Sequence, residues 1–193
     1  MARKLIFAPL LIAVLFSVTG CSKKEQHNMS NEIDENLPPI VSFCSSIDYS
    51  DTASLHTDGE MAEHMATIVK HMTRSDSTDI SRALEIFFKG LGSDGVSLRS
   101  AARHANLYLY NPASPVRDET LYILFLKSLL NNSGIPTDIS DKAKEQLHWA
   151  MLNRPGTIAT DFRYIDRDGN QGTLHSLSSR QTMLVFYDPE CPH

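Results

Sequence analysis

The apolar pattern of this chain changes period once, and that change divides what it can fold into. From residue 37 to 153, large apolar residues recur at intervals of three and four; after Arg154-Pro155-Gly156 they alternate or run together. The first spacing puts side chains on one face of a helix, and the second belongs to strands. Met61, Met65, Ile68 and Met72 mark one helical face. Ile80, Leu84, Phe87, Phe88 and Leu91 mark another, with Gly90 and Gly92 where that helix is expected to stop. Leu98, Ala101, Ala102, Ala105 and Leu109 form a third. It should end before Asn111-Pro112, because the residue preceding proline avoids helical geometry. Pro115 is expected in the first turn of a fourth helix, which buries Leu121, Leu124, Phe125 and Leu129 and ends at Asn131-Asn132-Ser133-Gly134. A fifth carries Ala143, Leu147, Ala150 and Met151, with Asp138 or Ser140 as its cap. Five amphipathic segments with short connections predict a small helical bundle over residues 37–153.

After the boundary, residues 160–165 read as a strand, and Asp166-Arg167-Asp168-Gly169-Asn170 as a hairpin turn. Gly172-Thr173-Leu174 would return antiparallel. Residues 182–187 contain no polar side chain after Thr182, the pattern of a central strand covered on both faces. The expected class is therefore α+β.

The N-terminus constrains the compartment. Arg3 and Lys4 precede an apolar stretch over residues 5–18 that ends in Val18-Thr19-Gly20-Cys21. A short basic segment, an apolar run of this length and a small-residue exit describe a secretory signal over residues 1–20 rather than a spanning helix. Residues 22–36 are polar and charged, and read as a flexible tether. Removing residues 1–20 leaves 16 Lys+Arg against 23 Asp+Glu, a formal charge of −7. A body this acidic argues against nucleic acid or anionic lipid held by charge. Val18-Thr19-Gly20-Cys21 resembles the lipobox of bacterial lipoproteins, and the resemblance implies cleavage before Cys21 and lipidation of its thiol.

The last residues, Asp188-Pro189-Glu190-Cys191-Pro192-His193, follow that apolar run directly. A cysteine just past a buried strand often opens a helix, whose N-terminal amides favour the thiolate nucleophile. Disulfide exchange then needs a second thiol to resolve the mixed disulfide, and a cysteine three residues on would supply it. The 193 residues end before that position.

Ala159-Thr160-Asp161-Phe162, Asp168-Gly169, Leu174, Leu177 and Leu184-Val185-Phe186-Tyr187 leading to Cys191-Pro192 resemble the opening of a periplasmic thioredoxin-like domain of the TlpA/alkyl-hydroperoxide-reductase superfamily. Tyr108-Leu109-Tyr110-Asn111-Pro112, Ser114-Pro115-Val116-Arg117 and Asn153-Arg154-Pro155-Gly156-Thr157 are similar to the helical domain of unknown function that precedes such domains in Bacteroidetes lipoproteins. The resemblance implies a helical domain over 37–153, then the first hairpin and first central strand of an incomplete thioredoxin fold over 154–193. It implies Cys191 as the attacking cysteine and His193 as a neighbour that helps stabilise the thiolate. It implies no cofactor. Peroxiredoxins place Thr or Ser three residues before their reactive cysteine; Asp188 stands there, against a peroxidase.

Other residues that could carry chemistry have simpler readings. His64 and His71 are seven apart, whereas zinc ligands sit three or four apart and number three or four, so these and His56 read as surface or interface histidines. The Met61, Met65 and Met72 stripe reads as core. Asp166, Asp168 and Asn170 alternate like calcium ligands, but Gly169 is misplaced and no acidic residue closes the loop. Cys44, in Val41-Ser42-Phe43-Cys44, reads as a buried small hydrophobe.

The expected function is that of an envelope thiol–disulfide oxidoreductase family member, lipid-anchored in the outer membrane facing the periplasm. Its partners would be envelope proteins with disulfides or a redox partner protein. With the resolving cysteine and most of the sheet absent, the 193 residues are expected to be a truncated form with little or no activity of their own. The alternative is a non-enzymatic, lipid-anchored binding or scaffolding module that uses the helical domain. An unpaired apolar strand at 182–187 is also expected to leave residues 156–193 less ordered than the bundle.

Overall fold

A computed structural model describes residues 37–179, 181–185 and 190. Among the described residues there are seven helices: α1 Pro39–Ser46, α2 Thr52–Leu55, α3 Asp58–Met72, α4 Ser77–Leu91, α5 Gly95–Leu109, α6 Glu119–Leu130 and α7 Thr137–Met151. A hairpin of β1 Arg163–Ile165 and β2 Gln171–Thr173 follows, with a single 3-10 turn at Leu174–Ser176. None of these helices is long and apolar enough to cross a membrane.

Two short helices were not among the five expected. Helix α1 has eight residues, too few to persist alone. Pro39 presets its first turn, and Ile40, Val41 and Cys44 are buried against α3 and α4. Helix α2 is one turn, capped by Asp51, which accepts from the Ser54 amide. Its Leu55 completes that end of the core.

Aspartates start most of the longer helices. Asp76 accepts from the Thr78 and Asp79 amides, Asp94 from Val96, and Asp118 from Thr120 and Leu121. Each satisfies amides that the helix leaves without a carbonyl, worth about 1 kcal/mol. Two expected starts are corrected. The fourth expected helix begins at Glu119, not at Pro115, which lies in a turn closed by the Asp118 amide on the Leu109 carbonyl (3.0 Å). Helix α7 begins after Pro136; Asp138 sits in its first turn and pairs with Arg99, and neither it nor Ser140 is the cap.

Helix α4 is central: it packs against α1 on one side and α6 on the other. Helix α5 packs against α3, α6 and α7, and α6 and α7 form a helical hairpin. Phe87, Phe88 and Phe125 meet in tilted and edge-on contacts with centroids 5.4 and 5.2 Å apart. Each buried phenyl ring contributes about 2–3 kcal/mol. The core includes every residue of the Met61, Met65, Ile68 and Met72 stripe. Met151, expected in the core, is 48% exposed: it is the last residue of α7 and its side chain faces solvent while the neighbouring Ala150 is buried.

The two glycines of α4 do different things. Gly92 ends the helix at φ 58°, a conformation that costs a side chain energy. Gly90 lies inside α4 instead of stopping it: a Cβ there would sit 2.5 Å from the Tyr49 ring. Tyr49 lies flat on that glycine and donates to the Cys44 carbonyl at 2.7 Å, tying the end of α1 to α4.

Gly90→Ala supplies a better helix former by about 1 kcal/mol. The overlap with Tyr49 should outweigh it, for a net loss of about 1–3 kcal/mol, read as a lower urea midpoint. A higher midpoint would contradict the packing. Burial pushes the Asp94 carboxyl up, but hydrogen bonds from Ser97, His56 and the Val96 amide outweigh it and hold it below its ordinary value. Its contribution is therefore present above about pH 4 and lost as pH falls through the lowered value. Asp94→Asn should lose less stability than the parent between pH 7 and pH 3 in thermal melts.

Candidate functional site

The segment that leads to Cys191 is described up to Val185, with Glu190 beyond it. Asp166 organises the turn: its carboxylate accepts from the Asp168 amide (2.9 Å), the Asn170 amide (2.8 Å) and the Asn170 side chain (2.9 Å). Those bonds, the Asn170 side chain first, lower its pKa. Gly169 takes φ 83°, as a tight hairpin requires. The strands pair antiparallel with Tyr164 opposite Gly172, and the Tyr164 ring covers the glycine so closely that a Cβ would lie 2.6 Å from it. The expected hairpin is thus present, with Leu174 in the 3-10 turn rather than the strand. Thr173 and Ser176 cap that turn reciprocally, Asp161 accepts from the His175 amide (2.9 Å), and His175 Nε2 contacts the Ala159 carbonyl (2.8 Å).

Anchoring to the bundle is sparse. Asn153, at φ 52°, accepts from the Thr160 amide (2.7 Å), and Arg154 donates to Thr120 Oγ1 (2.9 Å). The expected central strand over 182–187 is not formed across 182–185, and its residues are exposed, Met183 at 89% and Val185 at 73%. A strand exists only through a neighbour that pairs with it, and β1 and β2 pair with each other. Phe186 and Tyr187 lie outside the described residues, as do Cys191, His193 and Cys21 with the signal and tether segments.

Cys44 is fully buried, and burial pushes its thiol up to about 12. It holds a proton at any physiological pH and is no nucleophile. The histidines go separate ways. His56 Nε2 lies 2.7 Å from Asp94, while His64 and His71 flank the Phe43 ring at 6.1 and 6.0 Å between centroids. Among the described residues no group of three or more His, Cys, Asp or Glu converges.

The bundle brings together residues that no sequence signal singled out. Helices α4 and α6 run side by side, and the Asn132 side chain donates to the Gly92 carbonyl (2.6 Å), so their C-terminal ends meet. Between them lies an open cleft of about 910 Å³. Phe88 and Leu124 form its floor, Arg82, Lys89 and Lys127 bring charge, and Asn131, Asn132 and Ser133 close one end. A smaller cleft of about 280 Å³ separates α5 from α7. It contains Asn106 and Gln146, which sandwich the buried Tyr122 hydroxyl: Asn106 donates to it at 3.1 Å and it donates to Gln146 at 2.9 Å. That chain of bonds is a structural clamp across three helices. The α4–α6 cleft was invisible in sequence because its cations belong to helices that are not neighbours in the chain.

A contrast in mobility follows. Amides of residues 181–185 should exchange with solvent about a thousandfold or more faster than those in the middle of α4. Slow exchange there in a monomer would mean that the strand is paired after all.

A family model described as Domain of unknown function (DUF5106) matches residues 42–153. The match runs from within α1 to just past α7. Among solved structures, the chain is similar to a thioredoxin-like protein from Bacteroides caccae ATCC 43185, with 23% identity and a TM-score of 0.58. The likeness covers 72% of this chain and 50% of that one, so the chain spans about half the length of that relative. At this identity the likeness concerns the fold, and its extent requires that the helices share in it. No curated protein matches. Because the family model covers more than half of the 193 residues, the chain belongs to the DUF5106 family.

Proposed function

We propose that this chain is an envelope protein of the thioredoxin-like thiol–disulfide oxidoreductase class, with Cys191 as its attacking cysteine. The likeness to the Bacteroides caccae protein carries this reading, together with the apolar run that leads to Cys191-Pro192-His193. The helical domain precedes the opening of a thioredoxin-like domain, and the resemblance gives His193 the role of favouring the thiolate. Cys21 is the lipid anchor, holding the protein to the outer membrane on its periplasmic side. Its partners are envelope proteins with disulfides or a redox partner.

Resolution of a mixed disulfide needs a second thiol, and Cys44 is unable to serve while buried and protonated. A second reading, a lipid-anchored binding or scaffolding module, draws support from the bundle: among the described residues, the buried core lies between Ile40 and Ala150.

Thiol chemistry separates the two. In the chain carrying Cys21→Ser, an aromatic disulfide should modify one thiol quickly, and Cys191→Ser should abolish that reaction. Cys44 should react far more slowly while the bundle is folded, and quickly after denaturation. Fast modification that survives Cys191→Ser would overturn the assignment of the attacking cysteine.

A further inference from the structure

We propose that the cleft between α4 and α6 binds an extended acidic peptide, with two carboxylate side chains flanking an apolar one. The proposal does not depend on Cys191. Three cations, Arg82, Lys89 and Lys127, face one carboxylate, Glu85, and among the described residues none of the four makes an ion pair. A locally positive cleft stands out on a chain with a formal charge of −5. Two of the cations have an internal reason to be there. Lys89 and Lys127 occupy the last turns of their helices, where positive charge offsets the carbonyl ends. Arg82 lies in the first half of α4 and has no such role.

Dimensions favour an extended chain. Arg82 and Lys89 are seven residues apart, about 10 Å along the helix axis. In an extended peptide, residues i, i+2 and i+4 share a face, and the outer two are about 13 Å apart. Flexible Arg and Lys side chains cover the difference. The middle side chain would meet Phe88 and Leu124 on the floor, and the peptide backbone would meet Ser81, Ser128 and Asn131 along the rim. Glu85 opposes such a ligand, which supplies an independent check.

The test uses the chain carrying Cys21→Ser and a fluorescent peptide Glu-Ser-Leu-Ser-Glu, followed by anisotropy at about 50 mM salt, where exposed charges are weakly screened. Arg82→Gln and Arg82→Glu should weaken binding by roughly tenfold or more, and Lys127→Glu similarly. Lys142→Glu, exposed on α7 and not lining the cleft, should change it less than about twofold. Glu85→Gln should tighten it. Replacing both peptide glutamates by Gln, or its Leu by Ser, should each weaken it. Failure to bind would overturn the proposal, as would indifference to Arg82. Equal displacement by inorganic phosphate would also overturn it, in favour of a simple anion site.

Discussion

Helix α4 has to bury two faces at once, and most of the architecture follows from how it does so. On the α6 side, bulk fills the interface: Phe88 meets Phe125 edge-on. On the α1 side, bulk is removed: Gly90 lets the Tyr49 ring lie directly on the helix backbone. Close approach then allows an eight-residue helix, too short to be stable alone, to be held by contacts with α3 and α4. The same Tyr49 ring also meets Phe87, so the two sides of α4 connect through one aromatic chain. Single changes at Gly90 or Phe88 thus act on neighbours two elements away.

The long helices were legible in the sequence because each presents a continuous apolar stripe, and the hairpin because Asp166, Gly169 and Asn170 form a turn from their own hydrogen bonds. What failed depended on partners distant in the chain. Helix α1 was not singled out, since its eight residues hold only two turns of a stripe. Gly90 looked like a helix stop because its reason, the Tyr49 ring, lies 41 positions earlier. Pro115 looked like a helix start, yet Asp118 offers the amides a side-chain acceptor that proline lacks. The run at 182–187 has the composition of a buried strand, but composition supplies no pairing partner. Of the candidate site, Cys44 was legible as core, and the α4–α6 cleft was not, because pairing of those helices is set by the fold.

Polar chemistry is distributed unevenly between the two parts. In the bundle, Tyr122, Asn106 and Gln146 satisfy one another across three helices, and Asp94 joins Ser97 and His56. No buried side-chain polar atom among the described residues lacks a partner. Beyond α7 the described hydrogen bonds mostly join residues of that segment, with Arg154 to Thr120 reaching back to α6, while apolar side chains such as Ile158 (87% exposed) and Ile165 (70%) face water. Isolated two-stranded hairpins are marginal in water, and among the described residues no buried hydrophobic residue belongs to this one. Its geometry is set by Asp166 and Asp161 rather than by a core.

Cys44 has one more consequence. Its sulfur is sealed beneath α1, and its proton is held by the lack of water around it. A modifying reagent can reach it only when α1 lifts away from α3 and α4. The rate of modification therefore measures how often that corner opens, and the protein carries its own clock for the detachment of its shortest packed helix.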